Sequence, residues 1–170
     1  MMRPAQTAAL RRTVVNLMNV IEKIWTPRVT VAAVIERGGR FLLVQERVAG
    51  RLVYNQPAGH LEDGESLVEA VIRETLEETA WHFQPESLVG LYRWRHPGRG
   101  ATYLRCTFAG NALHHEPQRR LDPDVERALW IDLPALRRQS AALRSPLVLR
   151  SIEDFLAGAS YPLELLADIE

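Results

Sequence analysis

The hydrophobic pattern of this chain changes repeatedly between the two-residue period of a strand and the roughly 3.6-residue period of a helix. Runs rich in β-branched and aromatic residues predict strands, and the Gly38-Gly39 pair predicts a hairpin between the first two of them. The predicted strands are 29–36, 41–46, 52–56, 88–95, 101–108 and 128–132. Strands that alternate with helices in this order predict one α/β domain with a mixed sheet.

The N-terminal part of the chain shows helical periodicity. Apolar residues at helical spacing predict an amphipathic helix over about Gln6–Trp25, and Pro27 ends it. We expect this helix to dock on the domain or on a second subunit rather than to form a disordered leader. The chain therefore divides into an N-terminal helical extension, residues 1–27, and a domain, residues 28–170.

Two further helices are predicted near the C-terminus. Pro134 opens a short one. A longer one starts at Ser145 with Pro146 in its first position and runs to Leu156, and Gly158 ends it.

The most informative helix is predicted from Ser66 onward, where Ser66 and Glu69 form a capping-box pattern. At about 100° per residue, its apolar side chains and threonine methyls gather on one side. These residues are Val68, Ile72, Thr75, Leu76 and Thr79. The opposite side carries Glu74, Glu77 and Glu78, so the helix is predicted to have an apolar back and an acidic front.

The three carboxylates are neighbours on the helix surface and repel one another by roughly 0.2 to 0.5 kcal/mol per pair. Such a cluster is either an ordinary solvated face or a site for a hard divalent cation such as Mg²⁺, which prefers oxygen ligands. The preceding loop favours the cation. Gly59 and Gly64 have no Cβ, so a ligand can approach the backbone closely and a carbonyl oxygen can join the metal shell.

The spacing of these residues resembles the Nudix box. Gly59 is followed after five residues by Glu65, after seven more by Arg73-Glu74, and after two more by Glu77-Glu78. The resemblance implies the Nudix fold, an α/β/α sandwich with a mixed sheet. It also implies hydrolysis of phosphoric anhydride bonds with Mg²⁺, or Mn²⁺ in its place.

The same resemblance assigns roles to the box residues. Glu77, Glu78 and the Gly59 carbonyl are implied as metal ligands, and Glu74 as a metal ligand or the general base. Arg73 is implied to hold Glu65 and fix the loop against the helix.

Two positions depart from the family pattern. Thr75 stands where a bulky aliphatic residue is expected, and Ala80 stands where a glycine is expected. A left-handed residue at a helix end costs a side chain with a Cβ about 1 to 2 kcal/mol. We therefore expect the helix to lack the usual left-handed exit.

Outside the box, the strands at 88–95 and 101–108 offer faces that could line a substrate cleft. The candidate substrate-binding residues are Tyr92, Trp94, Tyr103 and Arg105. Taken singly, each is equally well explained as core or solvated surface. Glu126 is the candidate for a further acidic metal ligand, which many Nudix proteins supply from outside the box.

The segments 55–62, 67–70, 143–148 and 161–164 resemble one branch of the family, the bacterial phosphatase NudJ group. This resemblance implies release of phosphate from nucleoside tri- and diphosphates and from thiamine-related pyrophosphates, namely hydroxymethylpyrimidine pyrophosphate and thiamine pyrophosphate. A pyrophosphatase that cleaves ADP-ribose or a similar nucleoside diphosphate derivative shares the box and remains an alternative. A sensing module without turnover would have a damaged box, whereas all three glutamates are present here.

Charge and cysteine content narrow the partners and the compartment. Lys plus Arg equals Asp plus Glu at 21 each, so no overall field favours nucleic acid or an anionic membrane. The single Cys106 excludes an internal disulfide and predicts a cytoplasmic protein. We expect a small-molecule substrate, no nucleic acid and no membrane, with monomer and homodimer both open.

Overall fold

The computed structural model of the protein describes residues 25–98 and 100–169. The predicted helix Gln6–Trp25 lies, apart from Trp25, outside these residues. None of the helices in the described part of the chain is long and apolar enough to cross a membrane.

Seven strands and three α-helices make up the described fold. The strands are β1 (Arg28–Arg37), β2 (Arg40–Val48), β3 (Arg51–Asn55), β4 (Ala58–His60), β5 (Trp81–Arg95), β6 (Thr102–His115) and β7 (Val125–Asp132). The helices are α1 (Leu67–Thr79), α2 (Leu133–Arg138) and α3 (Leu147–Leu156), with single 3₁₀ turns at Ser140–Ala142 and Leu163–Leu165. All six predicted strands are present, which confirms the α/β prediction.

Strand β4 was not predicted, β6 extends beyond its predicted end to His115, and β5 begins earlier than predicted, at Trp81. The strand includes Pro85, a residue that argues against a strand interior because it lacks an N–H. Here the pairing with β6 shifts register between Pro85 and Ser87, and such a bulge accommodates a proline. The edge of β5 that faces away from β6 pairs with the C-terminal segment, where Leu88 and Tyr161 exchange two backbone hydrogen bonds of 2.9 and 2.8 Å.

The sheet is mixed, and its centre is β1. This strand pairs in parallel with β6 and antiparallel with β4, while β6 pairs antiparallel with β5. The hairpin partner β2 meets β1 at Glu36–Phe41 and Arg37–Arg40, beside the Gly38-Gly39 turn, and then continues between β3 and β7. Beyond the hairpin, β1 and β2 pair with different neighbours. The sheet therefore divides into one half made of β1, β4, β5 and β6 and another made of β2, β3 and β7, and the two halves diverge.

Helices cover both faces of the sheet. Val31, Ala33 and Ile35 of β1 belong to the hydrophobic cluster that includes Ala70 and Val71 of α1. Val34 of β1 faces the other way and joins Val148 and Ile152 of α3. The alternation of side chains along one strand thus produces the α/β/α sandwich that the resemblance predicted.

Helix α1 begins as predicted. The Glu69 N–H donates to Ser66 Oγ at 3.1 Å, and the Ser66 N–H donates to Glu69 Oε2 at 2.8 Å. Its buried stripe matches the prediction at Thr75 and Thr79. It differs in that Ala70 and Val71 are fully buried while Val68, Ile72 and Leu76 are only partly buried. Glu74 and Glu78 are also buried, since β4 and its loop cover the acidic side of the helix.

The expectation that α1 lacks a left-handed exit is wrong, because the residue at its end is left-handed. Ala80 adopts φ 58° and ψ 16°, and its N–H donates to Leu76 O at 3.0 Å. Two backbone bonds hold this helix end in place: Glu116 N–H to Ala80 O at 2.8 Å, and Asp122 N–H to Glu77 O at 3.1 Å. The connection between β6 and β7 therefore offsets the cost of an alanine in the left-handed region.

Near the C-terminus, α2 has Pro134 in its first turn, as predicted. Helix α3 begins at Leu147, with Pro146 as its N-cap rather than its first residue. Gly158 has φ 89° and follows the helix end at Ala157.

Candidate active site

A cleft of about 500 Å³ opens where the two halves of the sheet diverge. One wall comes from β1, β4, β5 and β6 and carries Arg28, Thr30, His60, Trp94, Tyr103 and Arg105. The facing wall comes from β2 and β3 and carries Glu46, Val48, Arg51, Val53 and Asn55. Residues 141–147 close one side, and Gly59, Glu78, Asp122 and Asp124 form an acidic end. This volume lies within the range of roughly 300 to 1,000 Å³ that small-molecule sites occupy.

Glu78 reaches the cleft from α1 and is only 8% exposed. Its Oε2 accepts a hydrogen bond from the Ala58 N–H at 2.8 Å, which ties the helix to β4. Burial raises the pKa of Glu78 well above its ordinary value, and the negative charges of Glu46, Glu74 and Asp122 add to this effect. A cation bound beside this carboxylate would stabilise its charged form, which burial and the neighbouring carboxylates disfavour.

Glu74 packs directly against Gly59. A Cβ on Gly59 would overlap the Glu74 carboxylate, so the close approach requires a glycine. Burial raises the pKa of Glu74, while its bond to Arg73 opposes the rise. The Gly59 backbone and the Glu74 carboxylate are thereby held next to each other.

Arg73 connects the loop to the helix. Its guanidinium bonds both oxygens of Glu65, at 2.7 and 2.9 Å, and also reaches the His60 carbonyl at 3.0 Å. The same group bonds Glu74 at 2.8 Å and Glu77 at 3.1 Å. These bonds raise the pKa of Arg73, and the hydrogen bond from Arg73 lowers the pKa of Glu65. Five acceptors on one planar group make this the most highly connected side chain of the site.

The donor set of the acidic end suits a hard cation, since it consists of carboxylate and carbonyl oxygens. Glu46 adds a buried Oε1 that has no hydrogen-bond partner within the described residues. Among residues 25–98 and 100–169, however, no three His, Cys, Asp or Glu side chains are already arranged around one point as metal ligands. Glu74 and Glu77 instead face Arg73, so an ion would compete with its guanidinium for them.

Three of the four predicted substrate-binding residues line the cleft: Trp94, Tyr103 and Arg105. Trp94 and Tyr103 are paired across β5 and β6, and their rings stack with centroids 5.6 Å apart. Tyr92 is not among the lining residues. Its hydroxyl donates to Asp154 of α3 at 2.9 Å, and burial together with that bond raises its pKa.

Arg105 is a buried cation on the cleft wall, with Nη1 3.4 Å from Gln56 Oε1. Burial lowers the pKa of Arg105 to about 10, although the negative charges of Glu46 and Glu78 oppose the effect. Arg144 lies on the same cleft, 3.6 Å from Glu46. Glu46, Gln56 and Arg144 were not among the candidate site residues, although Gln56 and Arg144 lie in two of the segments that resemble the NudJ group. Nothing in their local pattern shows that the three residues meet.

Glu126, the predicted ligand from outside the box, is not among the lining residues, although the adjacent Val125 is, and it forms a 2.6 Å ion pair with the exposed Arg47. Asp122 lines the cleft instead, and its pKa is raised by burial and by the charge of Glu77. Asp122 and Glu126 belong to the same acidic run, 122–126. It could not show which member of the run would face the helix.

The acidic helix, the glycine loop held by Arg73 and the arginines on the cleft walls together offer groups that can bind a divalent cation and an anionic ligand. Residues 26–151 match the family profile of the NUDIX domain. The chain therefore belongs to the Nudix family, and it is a hydrolase that acts on phosphoric anhydride bonds.

Two relatives are particularly similar. The chain is 39% identical over 145 residues to phosphatase NudJ of Escherichia coli strain K12, covering 85% of this chain and 94% of that protein. A Nudix hydrolase structure from Nitrosomonas europaea is 48% identical with a TM-score of 0.84, covering 85% of this chain and 98% of the other. A MutT Nudix hydrolase from Burkholderia pseudomallei is more distant, at 26% identity and a TM-score of 0.61, covering 76% of this chain and 98% of that one.

Proposed function

We propose that this hydrolase uses Mg²⁺, or Mn²⁺ in its place, to release phosphate from nucleoside tri- and diphosphates and from thiamine-related pyrophosphates. The candidate pyrophosphates are hydroxymethylpyrimidine pyrophosphate and thiamine pyrophosphate. The observation that carries the proposal is one cleft with buried carboxylates at one end and the buried Arg105 on its wall. Similarity to the phosphatase NudJ favours phosphate release over other anhydride chemistry. We also propose a cytoplasmic location, which fits a reduced Cys106.

The metal would be held by Glu77, Glu78, the Gly59 carbonyl and, in one of its two roles, Glu74. For the ligand from outside α1, the geometry favours Asp122 over Glu126, because Asp122 lines the cleft and its N–H bonds Glu77 O. When bound, a divalent ion neutralises the diphosphate and lowers the pKa of a coordinated water.

The proton of the attacking water needs an acceptor. Glu74 is suited to this role because burial raises its pKa, which makes its carboxylate a stronger base. Its Oε1 bonds Arg73, so Oε2 is the oxygen we assign as acceptor. Arg73 and Glu65 would then act by holding Glu74 and the Gly59 loop in position.

The organic part of the substrate would lie on the opposite side of the cleft. The stacked rings of Trp94 and Tyr103 offer a flat surface for a heterocycle, and Arg105 offers donors to phosphate oxygens. Tyr92 would contribute to substrate binding indirectly, because its hydrogen bond to Asp154 fixes β5 to α3.

The test is product analysis with and without Mg²⁺ on both pyrophosphates, nucleoside di- and triphosphates and ADP-ribose. We expect metal-dependent release of single phosphates from the pyrophosphates and nucleotides. Cleavage of ADP-ribose to AMP and ribose phosphate, with the other compounds untouched, would favour the nucleoside diphosphate pyrophosphatase instead. Binding without turnover of any compound would support the sensing module and overturn the proposal.

A further inference from the structure

A second cleft of about 530 Å³ adjoins the first one. Five residues line both clefts: Trp94, His96, Leu143, Arg144 and Ser145. The two spaces therefore share a boundary, and the second lies beyond Trp94 as seen from the acidic end. Its far side is formed by the first turns of α3, including Leu149, Arg150 and Glu153.

The floor of the second cleft suits a flat apolar ring. Trp94, Leu143, Pro146 and Leu149 line it. Trp94 is fixed by its stack on Tyr103 and by His96, whose ring centroid lies 5.2 Å from its own. A ring held in one orientation loses little freedom when a ligand packs against it, which favours binding.

The rim of this cleft carries hydrogen-bonding groups that are themselves held in place. Arg150 donates from Nε to both oxygens of Asp154, at 3.0 and 2.8 Å, and within residues 25–98 and 100–169 its two terminal nitrogens have no hydrogen-bond partner. Asp154 in turn accepts from Tyr92 at 2.9 Å. Glu153 is fixed by a 2.8 Å bond from Arg137 to its Oε1, and among the residues that the structure describes its Oε2 accepts no hydrogen bond. A ligand ring with polar substituents would find both donors and acceptors here.

We propose that the second cleft binds the distal ring of a diphosphate substrate whose organic group contains two rings. The distal ring packs against Trp94 and Leu149, and its substituents bond Arg150 and Glu153. The inference rests on the proposed function, since it takes the diphosphate to lie at the acidic end. The first cleft then holds the diphosphate and the proximal ring, so substrates with two rings gain contacts that substrates with one ring cannot make.

Leu149→Trp tests this arrangement, because a larger side chain fills the second cleft and leaves the acidic end unchanged. The probes are thiamine pyrophosphate, which has two rings, and hydroxymethylpyrimidine pyrophosphate, which has one. We expect the ratio of their kcat/KM values, two-ring over one-ring, to fall by about tenfold or more. Leu156→Trp is the matched control, since Leu156 is exposed on the same helix and lines neither cleft. Its ratio should match that of the wild type.

Arg150→Ala provides a second variant that removes no buried side chain, in case Leu149→Trp fails to fold. It should lower the same ratio by about threefold or more, since it removes one hydrogen-bonding partner. An unchanged ratio in every folded variant would overturn the proposal.

Calorimetric titration with Ca²⁺ in place of Mg²⁺ measures binding, since a hard cation still neutralises the diphosphate, and product analysis of the same samples checks that no compound is turned over. This experiment separates the inference from the proposed function. Tighter binding of thiamine pyrophosphate than of the one-ring compound, lost in Leu149→Trp, would support the second cleft even if the wild type hydrolyses neither. Equal binding of both compounds, or no binding of thiamine pyrophosphate, would overturn the inference while leaving metal-dependent nucleotide hydrolysis intact.

Discussion

The acidic helix with its loop and the opposite wall of the cleft are assembled in different ways. Within the first region, Arg73 reaches Glu65 eight residues away, and Glu78 reaches Ala58 twenty residues away. Across the second region, Arg105 meets Gln56 over a separation of 49 residues, and Gln56 meets Ser151 over 95. The hydrogen bonds among the box residues are therefore local in sequence, although Asp122 joins the acidic end from a distant segment. The opposite wall, in contrast, exists only once β1 to β6 and α3 have packed.

This difference predicts two kinds of mutational effect. Changes in the local region should alter the rate of the reaction with any substrate, because every substrate presents the same anhydride. Changes in the wall should alter the preference among substrates. The variants below compare the two regions, in order of decreasing expected effect.

The largest effect should come from Glu78→Gln, which keeps the size of the side chain and its bond to Ala58 but removes the charge. We expect kcat to fall by about 10³-fold or more for every substrate. The fold should be intact or slightly more stable, because like charges no longer repel within α1. Glu86→Gln, on the exposed surface, is the control. Steady-state kinetics with full activity in Glu78→Gln would remove the metal-site assignment.

Arg73→Ala should lower both activity and stability. Its removal leaves the carboxylates of Glu65, Glu74 and Glu77 without their shared cation, so we expect kcat to fall by about 10²-fold and the free energy of unfolding by about 2 kcal/mol. Thermal denaturation and kinetics measure the two effects. Arg47→Ala breaks an exposed pair and should cost at most about 1 kcal/mol. A loss of activity with an unchanged Tm would contradict the structural role of Arg73.

Asp122→Asn and Glu126→Gln form a matched pair that tests whether the metal is bound by Asp122, just before β7, or by Glu126, near the start of β7. We expect Asp122→Asn to raise the Mg²⁺ concentration needed for half-maximal rate by about tenfold or more. Glu126→Gln should change it less than twofold, because its carboxylate faces Arg47. The reverse result would restore Glu126 as the candidate ligand.

Trp94→Ala tests the second region, the wall of the cleft opposite the acidic helix. Loss of the stacking surface should raise KM about tenfold for substrates with a ring and leave kcat nearly unchanged. Tyr92→Phe keeps the ring but loses the bond to Asp154, so a smaller increase is expected. If Trp94→Ala instead lowered kcat to the extent of Glu78→Gln, the division between the two regions would be wrong.

The smallest effect concerns the end of α1. Ala80→Gly removes the cost of a Cβ at φ 58°, about 1 to 2 kcal/mol, but also exposes the space of a buried methyl worth about 0.8 kcal/mol. We expect a net stabilisation of up to about 1 kcal/mol in denaturant titrations, with kcat unchanged. Destabilisation would mean that packing of the methyl outweighs the backbone cost.

The extent to which the molecule could be predicted follows the same division. The capping box of α1 and the hairpin at Gly38-Gly39 depend on local spacing, so they were predictable, whereas the layer order was implied by the resemblance to the Nudix box. The extension of β5 through Pro85 was not, because a bulge in the pairing with β6 admits the proline. The left-handed Ala80 was missed because its support comes from Glu116, a residue distant in the chain.

In the site, burial was the property that the sequence concealed. Glu74 and Glu78 were placed correctly on one side of α1, but only the packing of β4 removes that side from water. Likewise the pairing of Trp94 with Tyr103 could be suggested from neighbouring strands, whereas the meeting of Arg144 with Glu46 depends on how residues 141–147 cross the cleft.

The pairing of Tyr161 with Leu88 has a consequence for solubility. Strand β5 forms an edge of the sheet, and such an edge offers free N–H and C=O groups to any other extended chain. The C-terminal segment occupies part of that edge with two backbone bonds. A chain shortened to end before Tyr161 would leave these groups unpaired beside the exposed Leu91, and would become prone to aggregate through strand addition although the acidic end of the cleft remained complete.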